Sequence, residues 1–375
     1  MNKINNVNKM YNLVLSGGGV KGIAFAGAYE VAERNGYTFK NIAGVSAGAI
    51  AGSLIGSGFI AADLREILEG LDFGKIKMED IPKLVSAVAY FEEWRSKNRK
   101  DNSSVIDFLS QSPRGIIHKE YEDENSDVNF RGDIIKNVSL YSKEGCLFDG
   151  DYLEEWLYGH LIKKGIRTFE DLRGGIVDSC NPNGYRARFL AVDATRRKAL
   201  VLPDDIEFYQ INPDKLEVAK AVRMSASVPF AFKAVELQVG SGKEKKTYNI
   251  VDGGVFDNYP VWMIGDDNKF KTVGFSLDGD EKKKFFSLDT PLNVLKSLIS
   301  AVHDIGIPKT KNYENKILAK IATGNVSSLD FSLTEEEKEY LFSQGKNAAA
   351  GLISKMEYSM RLRYARFRRY PFRFR

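Results

Sequence analysis

The chain has 375 residues, 54 basic against 50 acidic side chains and 43% apolar residues, the proportions of a globular protein with mass enough for a sizeable core. Two cysteines, Cys146 and Cys180, belong to no CxxC pair and exclude a disulfide framework; with only three histidines they also argue against a zinc centre built from His and Cys. The net charge of +4 is a property of the C-terminus, because Arg361 to Arg375 carry seven arginines and no acid, and without them the balance is −3.

Tyr11–Leu15 is a short apolar run that reads as a buried strand, closed by a glycine turn at Ser16–Gly19. A helix is expected over Lys21–Asn35, with Ile23, Gly27 and Val31 on one small apolar face and Gly36 as its C-cap. Phe39–Val45 reads as a second strand and Ala47–Gly58 as a helix of small residues. The twenty-two residues between Lys40 and Asp63 carry no charge, and their glycines at 44, 48, 52 and 56 repeat the spacing of packed membrane helices. Their Gly, Ala and Ser composition inserts poorly into lipid, so the segment is read as a buried helix packed closely on a sheet.

From about residue 72 to 145 the pattern loosens into an expected insertion of helices and loops. Leu147–Lys164 then reads as a helix, and Phe189–Asp193, Ala199–Leu202, Glu207–Ile211 and Lys246–Val251 as strands. Glu217–Ala226 reads as a helix and Thr272–Leu277 as a strand, and beyond Pro291 the pattern is helical to the tail. Strand, turn, helix repeated is the rhythm of an α/β sheet with short parallel strands. Without repeats or a long Gly/Ser linker, residues 1–290 form the expected main domain and 291–375 a helical extension ending in a basic, aromatic tail.

Gly44-Val45-Ser46-Ala47-Gly48 fits G-x-S-x-G between a strand and a helix. That context exposes a serine hydroxyl on a tight turn, beside the oriented N–H groups of a helix N-terminus. Ser16-Gly17-Gly18-Gly19-Val20-Lys21-Gly22 can turn several amides towards one point and cradle an anion. The same residues match a dinucleotide fingerprint, but the acidic residue expected at the end of the second strand is missing, since Val45 runs directly into Ser46.

A serine nucleophile needs a base. His118 lies in the polar insertion, His160 in an amphipathic helix, and His303 in a helical context, although it is the one in the order serine, acid, histidine. Asp252, in Asp252-Gly253-Gly254 at the end of a strand, offers a dyad without histidine. A free aspartate near pKa ~3.9 is a weak base, so the dyad requires a partly desolvated carboxyl and a strong oxyanion site.

Taken together, Leu15–Gly22, Gly44–Gly48, Asp252–Gly254 and Ser225-Ala226-Ser227-Val228-Pro229-Phe230 resemble the motifs of the patatin-like phospholipase family, over roughly residues 10–280. The resemblance implies a three-layer α/β/α fold with a central, mostly parallel sheet. It implies a lipid acyl hydrolase of phospholipase A or lysophospholipase type, with Ser46 as nucleophile, Asp252 as base, and the amides of Gly17, Gly18 and Gly19 as oxyanion hole. Lys21 stands at the family's basic position, where it shapes the cradle or meets a lipid phosphate. No cofactor and no metal are implied. The expected partner is a phospholipid membrane surface, with room for a protein or small-ligand activator and no specific nucleic acid. With neither a signal peptide nor a membrane-spanning helix expected, the location that follows is cytoplasmic with peripheral membrane association, to which the arginine tail could contribute. The alternative is a catalytically silent lipid- or nucleotide-binding module that retains the glycine turns.

Overall fold

A computed structural model describes residues 9–71, 146, 148, 150–229, 231–278, 316–326, 328 and 333–369, with the backbone alone for 243 and 359–369. The expected insertion at 72–145, His118, His303 and the side chains of the arginine tail lie outside the described residues.

The first half-turn of the fold follows the sequence closely. Strand β1 (Met10–Leu15) leads through a 3-10 turn at Gly19–Gly22 into helix α1 (Ile23–Arg34). Strand β2 (Thr38–Val45) leads through Ser46 into α2 (Ala47–Gly56), followed by α3 (Ala61–Glu69). Later come α4 (Asp151–Leu161), β3 (Ala187–Asp193), β4 (Lys198–Leu202), α5 (Val218–Ser225), β5 (Val235–Val239), β6 (Lys246–Asp252), β7 (Thr272–Asp278), β8 (Lys316–Ala322) and α6 (Glu335–Arg369). The sheet runs β5-β6-β3-β2-β1-β7-β8, with β4 also paired to β3. Its centre, from β3 through β2, β1 and β7 to β8, is parallel, while β6, β5 and β4 join antiparallel.

Parallel strands buried on both faces need apolar side chains in both directions. Leu13, Leu15, Ile42 and Phe189 point into the core shared with the helices. Val14, Ala43, Val45 and Leu190 point the other way, where Tyr259, Val261, Met263 and Ile264 cover them. The result is the three-layer α/β/α arrangement with a mostly parallel central sheet. Every residue of α2 is buried, and Gly52 and Gly56 let its backbone rest on Ile42 and Ala187. The spacing that resembled a membrane helix therefore serves close helix-on-sheet packing. Among the described residues, no helix is long and apolar enough to cross a membrane.

Two readings of the sequence are corrected. Glu207–Ile211 is not a strand: residues Asp204–Tyr209 form a 3-10 helix, with Ile206 and Tyr209 three apart on its buried side and the Tyr209 hydroxyl donating to Asp193 at 2.6 Å. The region beyond Pro291 is not wholly helical, because Lys316–Ala322 is strand β8, paired with β7 from Thr272↔Lys316 to Asp278↔Ala322. Only Ile321 of that strand is fully buried, so the segment lacks the apolar signature of a central strand.

Helix α6 begins with a reciprocal cap: the Glu337 amide donates to Thr334 Oγ1 at 3.2 Å, and the Thr334 amide to Glu337 Oε2 at 2.9 Å. Its buried face of Leu341, Phe342, Ala349, Leu352, Ile353 and Met356 contributes roughly 1.5–3 kcal/mol for each large apolar side chain. It crosses α1 at backbone contact distance. A Cβ at Gly345 would lie 1.8 Å from the Ala24 carbonyl oxygen, and one at Gly27 would lie 2.0 Å from that of Phe342. Gly345→Ala is therefore expected to lower stability by about 1–3 kcal/mol. Gly351→Ala on the same helix meets nothing within 4 Å and should instead gain up to ~1 kcal/mol. Thermal or urea unfolding of the two variants measures the difference.

Candidate active site

Ser46 occupies the turn from β2 to α2 with φ 53° and ψ −121°, a backbone conformation that a non-glycine residue adopts at a cost of ~1–3 kcal/mol. Its neighbours hold it there. Gly44 faces the Gly48 carbonyl, and Gly48 faces the carbonyls of Leu15 and Ser16 at the end of β1, at distances that admit no side chain. The Ser46 amide donates to Ser225 Oγ at 3.1 Å, and Ser225 Oγ donates to the Leu190 carbonyl at 2.7 Å. The serine is 4% exposed and stands at the head of α2, where the helix amides favour negative charge.

The glycine turn lies directly against it. A Cβ on Gly17 would be 3.3 Å from the Ser46 Cβ. The Gly17 amide, however, donates to the Asn258 carbonyl at 3.0 Å, so it is already occupied. Gly17 thus acts as the anchor of the turn. Among the described residues, neither the Gly18 nor the Gly19 N–H donates to a protein acceptor. Gly19 adopts φ 57° with the Ser328 carbonyl against its Cα, and the Val20 amide donates to that same carbonyl at 3.2 Å. Lys21 is buried and is not among the described residues that line the adjoining cavity.

Asp252 ends β6, opposite Ala191 of β3, and is 3% exposed. Its amide donates to the Ser227 carbonyl at 2.8 Å, and its Oδ1 accepts from the Gly254 amide at 2.6 Å. Its Oδ2 is buried without a well-aligned hydrogen bond, although the Ser46 side chain lies near enough to favour the ionised form. Burial dominates. It pushes the carboxyl up to about 7, against the opposing pull of Ser46 and of the Gly254 amide.

One short segment therefore grips both groups. At the end of α5, Ser225 receives the Ser46 amide and Ser227 receives the Asp252 amide, with Ala226 between them. The segment is itself braced by buried Arg223, which donates to Ser227 Oγ and, at 2.8 Å, to the Lys233 carbonyl. The Arg223 guanidinium stacks against Gly150, where any side chain would collide. Asn258 is the other junction: its carboxamide lies between Gly17 and Gly254, with Oδ1 buried and unpartnered. The serine-and-proline segment was visible in the sequence as a motif without a stated role. Asn258 gave no signal there, because its carbonyl meets the amide of Gly17 far away in the sequence; Arg223 bonds nearby, to Ser227 and Lys233, but a single basic residue within a helix marks no role by itself.

Ser46 forms part of the wall of a cavity of about 330 Å3 lined mainly by apolar side chains, among them Ile50, Leu68, Leu153, Val228 and Phe232. His160 is not on that wall. It lies on α4, edge-on to Trp156, with its pKa lowered by burial and by Lys163. Among the described residues, no three His, Cys, Asp or Glu side chains are grouped to hold a metal ion.

Residues 13–264 match the family model described as patatin-like phospholipase, and the chain belongs to that family. Membership makes it, in general terms, a lipid hydrolase. It is 31% identical over 349 residues to the uncharacterized protein YqhO of Bacillus subtilis, covering 92% of this chain and 98% of that one. It is 25% identical over 360 residues to the uncharacterized protein R571 of Acanthamoeba polyphaga mimivirus, covering 92% and 94%. Among solved structures it resembles VipD from Legionella pneumophila, with a TM-score of 0.44 and 19% identity, over 92% of this chain and 67% of that one. It also resembles the type III effector ExoU of Pseudomonas aeruginosa, with a TM-score of 0.39 and 18% identity, spanning about half (53%) of that protein's length.

A carboxyl raised in the folded state binds its proton there more tightly than in the unfolded chain. Asp252 should thus make stability fall as pH rises from the ordinary aspartate range, ~4, through about 7. Asp252→Asn removes that dependence. Urea unfolding between pH 4 and 8 should show the variant gaining on the wild type as pH rises, and parallel curves would contradict the raised carboxyl.

Proposed function

We propose that this chain is a lipid acyl hydrolase of phospholipase A or lysophospholipase type, working through a Ser46–Asp252 dyad and an acyl-enzyme intermediate. The observation that carries the reading is a desolvated carboxyl beside a strained serine, at the head of a helix and on the wall of an apolar cavity.

In the first half-reaction Asp252 takes the proton of Ser46 as the hydroxyl oxygen bonds to the ester carbonyl carbon. The tetrahedral oxyanion is met by the Gly18 and Gly19 amides, donors whose individual loss is worth ~10²–10³ in rate. As the carbon–oxygen bond to the alcohol breaks, the alcohol leaves with the proton from Asp252, and acyl-Ser46 remains. In the second half-reaction Asp252 takes a proton from water, the water oxygen attacks the acyl carbon, and Ser46 recovers the proton as the fatty acid departs. Raised towards about 7, the carboxylate is a far better proton acceptor than a free aspartate, while remaining ionised in a useful fraction near neutral pH. The cavity supplies the apolar surroundings that an acyl chain requires.

Mass spectrometry of products released from phospholipid vesicles tests the assignment. Ser46→Ala should fold, bind lipid and lose on the order of 10³-fold or more in hydrolysis, and Asp252→Asn nearly as much. Turnover of Ser46→Ala at the wild-type level would falsify the nucleophile. Wild-type kcat/KM should fall as pH drops below about 7, because protonated Asp252 cannot accept the Ser46 proton. A His160→Ala variant should keep its activity.

A further inference from the structure

The family match ends at residue 264, yet the wall of the cavity does not. Ser328, Leu333 and Lys338, all from the C-terminal segment, line the same space as Ser46. Three features fix their position. The Ser328 carbonyl rests on Gly19 and accepts from the Val20 amide, so the segment is attached to the glycine turn itself. Leu333 immediately precedes the Thr334–Glu337 cap, which sets where α6 begins. The helix is then held to α1 through the Gly27 and Gly345 contacts, where neither backbone can approach further.

We propose that this C-terminal wall determines which acyl chains the site accepts, with Leu333 as the selecting side chain, an inference that rests on the hydrolase reading above. Leu333 is half-buried and supplies apolar surface to the cavity; Lys338 lines it while its ammonium pairs with Glu335 at 2.7 Å. A long charged side chain can in this way offer its methylene stem to an apolar space and keep its head in water. At about 330 Å3 the cavity is near the small end of the range for ligand pockets, ~300–1,000 Å3, so one larger side chain removes a substantial share of it. The wall is tied to the glycine turn at Ser328 and to α1 through α6, which places it to act as a size filter.

The test compares esters of one alcohol with a four-carbon and a sixteen-carbon acyl chain, each rate normalised to the fraction of enzyme labelled by a small fluorophosphonate. Leu333→Trp should reduce the ratio of long-chain to short-chain kcat/KM by about 10-fold or more, in keeping with the discrimination an apolar pocket achieves. Leu333→Ala, which enlarges the space, should move the ratio the other way and provides a second reading if the tryptophan variant folds poorly. A ratio unchanged within about twofold in the folded variants overturns this proposal alone. If the wild type hydrolyses neither ester and takes no label, the hydrolase reading fails and this inference fails with it.

Discussion

A carboxyl removed from water beside a serine hydroxyl is the constraint around which the site is organised. Burying an ionised aspartate without full compensation is costly, and the group responds by holding its proton more tightly. At Asp252 the compensation is deliberately partial: one strong bond from the Gly254 amide and the nearby Ser46 side chain. A third donor would lower the carboxyl again, towards its ordinary acidity. With no compensation it would be protonated throughout the neutral range. The balance matters more than either contact, and on the proposed mechanism it suits Asp252 to accept a proton, since transfer is efficient when the acceptor's pKa lies near the working pH.

Such a balance survives only if its members cannot drift. Four stretches far apart in sequence converge here: the turn after β1, the elbow after β2, the end of α5 and the end of β6. Main-chain contacts join them, from the Ser46 amide to Ser225, the Asp252 amide to Ser227, and the Gly17 amide to Asn258. Main-chain partners move less than long side chains, and each bond also satisfies a buried amide that would otherwise be destabilising. The small residues follow from the same need, since Gly17, Gly44 and Gly48 stand where a Cβ would overlap neighbouring atoms. The strain at Ser46 is offset by this enclosure rather than by any single interaction.

Much of this was legible in the residues, for identifiable reasons. The β1–α1 and β2–α2 units carry strong local signals, apolar runs closed by glycine turns, and their boundaries in the structure differ by a few residues at most. Asp252 could be singled out because a strand end followed by two glycines is a local pattern. What escaped were features set by tertiary contact. Strand β8 is a half-exposed segment whose periodicity does not distinguish strand from helix; β5 (Val235–Val239) does alternate, with Val235, Leu237 and Val239 on one face, but at five residues it is too short to stand out without its partner β6. The 3-10 helix at Asp204–Tyr209 has the aromatic content of a strand, but it is drawn inward by the buried hydrogen bond from Tyr209 to Asp193. The occupied Gly17 amide could not be read at all, because its acceptor is 241 positions away in the numbering.

The C-terminal segment follows the same logic at the level of the fold. A sheet ending at β7 would leave that buried, apolar strand at the edge and the apolar face of α1 uncovered. β8 and about the first six turns of α6, as far as Met356, fill those places, and Ser328 between them lies against the glycine turn. The segment covers the core and also touches the glycine turn, since α1 begins where that turn ends. The similarity to the Bacillus subtilis relative extends over 349 residues, well past the 13–264 family match, so the C-terminal segment is part of what the two chains share.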